Sequence, residues 1–455
     1  MKKCNITIQW HVTEKCNNRC RHCYMEGEKK ELTKKEINEI LENIDRFEKN
    51  WNFEVSSYAI TGGDPFLYSE LEFLFSELRK RNKKINLMGN PDTLTIENIN
   101  LMKKYNIKNF QMSLDGLEEK HDYIRGKGSY QLTLEKADLL KQNGISVNIM
   151  FTVNKYNYVD LIPLMKIISL KQIDSFSFDF LCSIGNAKEL SMLEREESEK
   201  LLKNYLKEKE KMIKQESNTF FHEKNALFRK IRKENNNFPL QMLNEASIYT
   251  GCYIGFTSFA ISSDGYFMPC RRLGEKYESL LKVSLEDIFL GNEELKKYRR
   301  KSYYFQCGSC DLFKFCRGCP AIVKGETGTP FGKLYLCSKE EKIELKKESI
   351  NTTKEEERKI VEEHIENRFA AEFENIIKTN KDYQDLLLML IFERKQLLDF
   401  LKEPEKILEE LKYKFNKKEF EMLLYFLELF HMGIAPNLIE YIFGGLRNVD
   451  SKRSC

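Results

Sequence analysis

The chain of 455 residues lacks a strong charge of either sign: 74 lysines and arginines face 70 aspartates and glutamates, leaving a net charge of +4. That balance provides no basic field of the kind nucleic acid requires. The N-terminus, MKKCNITIQW, has no apolar signal-peptide core. The longest apolar run, near LLLMLIF, is far too short to span a membrane. These absences predict a cytoplasmic protein that engages neither nucleic acid nor membrane. The length allows two or three domains with real cores.

Cysteine, by contrast, is plentiful: thirteen residues, an odd number. In a reducing compartment this points to metal binding and away from disulfides. Ten of the thirteen fall in two fields. Cys16, Cys20 and Cys23 lie in TEKCNNRCRHCY, and Cys252, Cys270, Cys307, Cys310, Cys316, Cys319 and Cys337 form the second group. Of the others, Cys182 ends a predicted strand and reads as a small buried hydrophobe. Cys455 is the last residue and reads as a free thiol, and Cys4 opens the first strand segment.

Hydrophobic patterning gives the architecture. CNITIQWHVT reads as a strand running into the first cysteines. KKEINEILENIDRFEKN has helical period, with Ile37, Ile40, Leu41 and Ile44 on one face. VSSYAIT, KINLMGN, NFQMSLDG, SVNIMFTVN and DSFSFDFLC follow as strands, each separated from the next by a helical segment. Six strand–helix alternations in about 180 residues predict an α/β fold, a parallel sheet or barrel with helices outside. Chemistry in such folds gathers at the C-terminal strand ends, and the motifs begin there. Four segments result: 1–190, the barrel; 191–248, a charged helical bridge surrounded by solvent; 249–345, short strands and turns with the second cysteine field; and 346–455, all helical. The apolar stripes of the last segment read as packing surface rather than a peptide groove.

Three thiolates leave one position of a four-iron cluster open, whereas a structural zinc site wants four ligands. The Cys16-x3-Cys20-x2-Cys23 spacing after a first strand resembles the radical SAM family; zinc is the alternative. Further features carry the same resemblance. His22 precedes the last cysteine, where the family places an aromatic residue near the adenine. TGGDP, with Gly62, Gly63 and Asp64, follows the second strand; the family uses this loop for the methionine amino group, usually with Glu at the position of Asp64. Asn90 ends the third strand. Ser113, Asp115 and Arg125 lie in SLDGLEEKHDYIRGKGSY after the fourth. The resemblance implies a 4Fe-4S cluster on Cys16, Cys20 and Cys23, with S-adenosylmethionine (SAM) on the open iron. It makes His22, Gly62, Gly63, Asp64, Asn90, Ser113, Asp115 and Arg125 candidate cofactor contacts. The chemistry it implies is a 5'-deoxyadenosyl radical that abstracts a substrate hydrogen atom, the protein positioning and shielding it. No catalytic residue is assigned.

FAISSDGYFMPC reads as a hairpin around Asp264-Gly265, a two-residue turn that would return Cys270 toward Cys252. Seven thiolates without histidine suit iron–sulfur clusters better than zinc, which remains the alternative. The order resembles the SPASM extension of radical SAM enzymes, with two auxiliary 4Fe-4S clusters, except that Cys316 and Cys319 are separated by two residues instead of the commoner three. Carried over, the pattern gives Cys252, Cys270 and Cys319 to the first auxiliary cluster and Cys307, Cys310, Cys316 and Cys337 to the second. The first then lacks a fourth cysteine, leaving an iron open to substrate thiolate, water or carboxylate.

The resemblance covers residues 5 to about 345 and implies a partial (β/α)6 barrel, a SPASM domain and a helical C-terminal domain. Its peptide-modifying members imply oxidative modification or crosslinking, for example by a thioether, of a ribosomally made peptide or protein, with a flavodoxin- or ferredoxin-type electron donor. The chain begins at the first strand, with no room for the winged-helix leader-binding domain that many such relatives carry there. The alternatives are a formylglycine-forming sulfatase maturase, a small-molecule or cofactor-assembly enzyme, and a non-catalytic cluster-binding interaction protein.

Overall fold

The computed structural model describes residues 3–25, 30–234, 252–338 apart from 314, and 346–431 apart from 366–372, 374, 375, 378, 393 and 412. Cys455 lies outside the described residues. The first strand, β1 (Cys4–Thr13), alternates as its sequence does, burying Cys4, Ile6, Ile8, Trp10 and Val12. Helix α1 (Lys34–Asn50) starts at a capping box between Thr33 and Glu36. It buries Ile37, Ile40, Leu41, Ile44 and Phe47, the face the period predicted. The alternation then continues through β2 (Phe53–Gly62), α2 (Leu71–Lys80), β3 (Lys84–Met88), α3 (Ile96–Lys104) and β4 (Asn109–Ser113). Next come α4 (Glu118–Arg125), α5 (Ser129–Gln142), β5 (Ser146–Val153), α6 (Leu161–Leu170) and β6 (Ser175–Phe180). Strands β1 to β6 pair in chain order and in parallel, the partial (β/α)6 barrel expected. Helix α4, which the sequence period does not announce, has eight residues and stops at Gly126, whose φ of 119° no β-carbon favours.

The sheet extends beyond six strands at both ends. Among the described residues its order is β7-β6-β5-β4-β3-β2-β1-β8-β9. Strand β7 (Phe220–Phe221) pairs in parallel with β6 and is too short to show a period in the sequence. At the other end β8 (Ser258–Ile261) pairs in parallel with β1 and antiparallel with β9 (Phe267–Met268). The second cysteine field is thereby joined directly to the barrel sheet.

The charged segment does not form a bridge in solvent. Helix α7 (Arg195–Lys214) buries Leu201, Leu202, Tyr205, Met212 and Ile213. Tyr205 packs edge-on against Phe178 of β6, with ring centroids 4.8 Å apart. Helix α8 (Leu227–Glu234) follows. Glu223, fully buried, accepts from Lys209 Nζ at 2.8 Å and from Arg232 Nε at 2.6 Å. Lys209, Glu223 and Arg232 therefore neutralise one another inside the fold, a pairing that composition cannot display.

The Asp264-Gly265 hairpin forms, but not on a two-residue turn. Gly265 N donates to Ser262 O at 3.0 Å, and Ser262 N donates to Tyr266 O at 3.0 Å. Gly265 has φ 82°, whereas Asp264 is not among the positive-φ residues that a type I′ turn would need at both centres. The loop is a three-residue G1 bulge. Ser262 Oγ stabilises it by accepting from Tyr266 N at 2.9 Å and donating to Asp264 at 2.6 Å.

Helices α9 (Glu293–Lys297) and α10 (Pro320–Thr327) complete the cysteine-rich segment. Helix α11 (Lys354–Ile365) is tied to it through Glu357, which is fully buried and pairs with Arg299, at 2.8 Å, and Arg300. The helices at 381–392, 394–402, 404–410 and 417–431 form a second core with Leu386, Leu390, Phe400, Leu423 and Phe426. Leu312 and Phe315, between Cys310 and Cys316, belong to that core. The terminal helices therefore pack on the second cysteine field, the role their apolar stripes predicted.

Candidate active site

The C-terminal ends of the strands open into a cavity of about 900 Å³. Cys16, Cys20 and Cys23 line it, together with Cys182 and Cys270. The loop carrying the three cysteines is held by its neighbours. Arg21 N donates to Ile124 O at 3.0 Å, Arg21 Nε to Tyr123 O at 3.0 Å, and its guanidinium lies 4.2 Å from the centre of the Tyr123 ring. Cys16 Sγ accepts from Asn90 Nδ2 at 3.2 Å and from Asn18 N at 3.4 Å. Cys20 Sγ accepts from Arg125 Nη1 at 3.7 Å. Burial pushes the Cys16 and Cys20 thiols up. Metal binding here would have to displace protons.

The glycine pair is packed against the chain leading to Cys16. A β-carbon on Gly62 would stand 2.2 Å from Thr13 O, and one on Gly63 would stand 2.1 Å from Lys15 O. Gly63 N donates to Thr13 O, and Asp64 N to Lys15 O, each at 2.8 Å. The glycines thus first permit a close approach of backbone to backbone. It sets the height of the cysteine loop and still leaves both glycines on the cavity wall.

Of the other expected cofactor contacts, His22, Asn90, Ser113 and Arg125 line the cavity. Asp64 and Asp115 do not; both are fully buried behind the wall. Asp64 accepts from Phe66 N at 2.9 Å, Asn90 N at 2.7 Å and Thr93 Oγ1 at 3.0 Å. Its short side chain turns back to cap the 3₁₀ turn at Pro65–Leu67. Asp115 accepts from Thr152 N at 2.7 Å and from Arg125, and contacts His22 Nε2 at 3.1 Å. Burial pushes its carboxyl up, but Arg125 and His22 outweigh that and hold it well below the usual carboxylate range. Asp115 therefore positions two lining residues from behind.

Several lining residues carry no motif: Asp179, Lys224, Arg271, Arg272 and Cys182. Asp179 and Cys182 lie at the end of β6, where the strand-end rule could have found them. The rest come from segments beyond the barrel. Arg272 Nη2 donates to Asp179 Oδ2 at 2.9 Å and to Cys319 Sγ at 3.4 Å. Six cations line the cavity, Lys15, Arg19, Arg125, Lys224, Arg271 and Arg272, against the carboxylates Glu14 and Asp179. The excess suits a ligand bearing carboxylates.

The second field sorts into two groups. Cys252 lies within electrostatic reach of Cys270 and Cys319, and burial pushes its thiol up to about 12. Cys307 lies within reach of Cys310, Cys316 and Cys337, and burial raises it too. These are the two sets the SPASM pattern assigns. Among the described residues no group of three or more His, Cys, Asp or Glu is placed to hold a single metal ion. The thiolates of both sets are soft donors of the kind that iron–sulfur clusters take.

Comparison with known proteins agrees with this geometry. The radical SAM superfamily model matches residues 10–168, and the SPASM iron-sulfur cluster-binding domain matches residues 252–320. The chain is a radical SAM enzyme with a SPASM domain. Its cofactors are therefore SAM and 4Fe-4S, and its SPASM domain binds iron–sulfur clusters. Among sequence relatives, the antilisterial bacteriocin subtilosin biosynthesis protein AlbA of Bacillus subtilis is 23% identical, over 74% of this chain and 71% of its own. Fe-coproporphyrin III synthase of Methanosarcina barkeri is 24% identical, over 68% of this chain and 82% of its own. Among solved structures, Streptococcus suis SuiB bound to precursor peptide SuiA aligns at TM-score 0.59 and 18% identity, covering 74% of this radical SAM chain and 76% of SuiB. Native anSMEcpe with bound AdoMet aligns at 0.57 and 17%, covering 79% and 96%. These structural likenesses establish the fold. Among the described residues no helix is long and apolar enough to cross a membrane.

Proposed function

We propose that this radical SAM/SPASM enzyme oxidatively modifies or crosslinks a ribosomally synthesised peptide, in the cytoplasm. The observation that carries the reading is the single cavity, of about 900 Å³, onto which both cysteine fields open, Cys16, Cys20 and Cys23 from one and Cys270 from the other. It has room for a nucleoside cofactor and a peptide side chain together. Relatives named for subtilosin biosynthesis and for sporulation killing factor maturation, and the fold neighbour bound to a precursor peptide, support a peptide as the partner.

In this reading Cys16, Cys20 and Cys23 hold the first cluster, and the other two sets hold the auxiliary clusters. Bound there, the first cluster and SAM would supply the radical chemistry that removes a hydrogen atom from the substrate. The chain's own residues do the rest. Asn90 and Arg125 hold Cys16 and Cys20 by hydrogen bonds. Arg125, with its charge anchored by Asp115, faces the cavity as a partner for the methionine carboxylate. The Gly62-Gly63 backbone lines the same cavity. A flavodoxin- or ferredoxin-type protein is the electron donor of this proposal.

The test is a mass spectrum of any short peptide encoded beside the gene, co-expressed with the enzyme without oxygen. The expected result is a loss of roughly two mass units per modified site, the two hydrogens of a net oxidation. An unchanged mass alongside continued SAM cleavage removes that peptide as substrate. A second reading, a porphyrin-modifying enzyme, is favoured by the cationic lining, which suits propionate carboxylates, and by the coproporphyrin-related relative. Conversion of an iron coproporphyrin by the reconstituted enzyme, followed by absorption spectroscopy, would select it.

A further inference from the structure

The first auxiliary set, Cys252, Cys270 and Cys319, is one thiolate short of a closed cluster, and the stretch after Cys252, YIGFTSF, contains no cysteine. We propose that Cys182, at the end of β6, supplies the fourth ligand. The inference rests on the cluster assignment above and goes beyond it, because it draws the ligand from the barrel instead of the SPASM segment.

Three observations converge. Cys182 is buried, and its thiol interacts with that of Cys319. It also shares the cavity wall with Cys270. Arg272 ties the group together: it donates to Cys319 Sγ at 3.4 Å and lies within electrostatic reach of Cys182, Cys270 and Cys319. A fourth thiolate adds negative charge to a buried site, and a guanidinium already placed among the sulfurs compensates for it. Hydrogen bonding and burial of this kind also tune an iron–sulfur centre.

The backbone is built for the encounter. Helix α10 begins immediately after Cys319, and its Gly325 lies against the residue following Cys182; a β-carbon there would stand 3.0 Å from Ser183 N. Lys324 binds α10 to the turn after Cys270, donating to Leu273 O at 3.0 Å and to Glu275 at 2.8 Å. On the other side Asn186 N donates to Cys23 O at 2.9 Å, and a β-carbon on Gly185 would stand 2.7 Å from that same oxygen. Residues 182–186 thus lie wedged between the two cysteine fields. Cys4, the remaining described cysteine, sits at the opposite end of β1 from the cavity. Four-thiolate closure leaves no iron for a substrate thiolate, reversing the expectation from the SPASM pattern alone.

The experiment uses the full chain with Cys16, Cys20 and Cys23 replaced by Ala, so that only auxiliary iron remains after anaerobic reconstitution. Iron, sulfide and the reduced EPR spectrum are measured with and without 2-mercaptoethanol. The parent spectrum is expected to ignore the thiol. Cys182→Ala should change one of the auxiliary signals and make that signal respond to thiol, leaving the other untouched. Cys182→Ser, which keeps the side-chain volume, carries the test if the Ala variant does not fold; it should shift the same signal. If Cys182→Ala and Cys182→Ser keep the parent spectrum and stay blind to thiol while Cys319→Ala loses a signal, the proposal falls and the cluster assignment stands. If Cys319→Ala also keeps the parent spectrum, the assignment itself falls, and the proposal with it.

Discussion

Nε of Arg125 donates to the fully buried carboxylate of Asp115 while Nη1 reaches Cys20 Sγ, 3.7 Å away. A charge hidden behind the wall thus orients a cation that faces the cavity. The two residues are linked by α4, whose short length and stop at Gly126 return Arg125 toward the end of β4.

Replacing Asp115 by Asn should destabilise the protein by about 1–3 kcal/mol, because Arg125, half-buried at the cavity wall, loses its buried counter-ion. The folded-state pKa of Asp115 is depressed. As pH falls the unfolded chain therefore takes up the proton first, near its ordinary value of about 3.9. The contribution is complete above about pH 5 and declines below it. Urea midpoints of the two proteins should differ by a constant amount above that pH and converge beneath it. A gap independent of pH would show that the charge of Asp115 is not what stabilises the fold.

Gly63→Ala introduces a β-carbon 2.1 Å from Lys15 O, with backbone on both sides and no flexible side chain to yield. The chain entering Cys16 must move. Reconstituted protein should lose the iron of one cluster and its SAM cleavage, and keep the auxiliary EPR signals. Full iron content would mean that the cysteine loop tolerates the displacement.

Glu223→Gln should cost about 3–5 kcal/mol, since Lys209 and Arg232 then lose the buried carboxylate that both bind. A surface bridge would lose less than about 1 kcal/mol from the same change. Chemical denaturation distinguishes the two, and a small loss would restore the solvated-helix reading of this segment.

Phe315→Ala removes a fully buried ring from the second core, at a cost of about 3–5 kcal/mol to that core. Limited proteolysis should then cut within 381–431 faster than within the barrel. Equal rates would mean that the terminal helices do not depend on the second cysteine field for their packing.

The barrel was legible because each strand and helix carries its own period. The apolar face of α1 and the alternation of β1 recur in the burial pattern, which adds only His11 and Thr13 to the strand and Asn43 and Glu48 to the helix. The cysteine motifs were legible because thiolates at short spacing constrain chemistry without reference to the fold. Strand β7, two residues long, and α4, eight residues with two buried positions, are too short for a period to stand out. The charged segment misled because pairing between Glu223, Lys209 and Arg232 depends on α7, β7 and α8 meeting in space.

By itself the sequence determined the order of the six barrel strands, the two cysteine fields and their affinity for a soft metal. Local spacing encodes these, and no distant contact is needed to read them. Only the tertiary structure decided that Asp64 and Asp115 stand behind the wall, that the glycine pair abuts Thr13 and Lys15, and that Cys182 meets Cys319. These are contacts between segments far apart in the chain. They exist because β8 joins β1 and α10 packs on the residues after β6, and neither pairing leaves a local mark in the residues that make it.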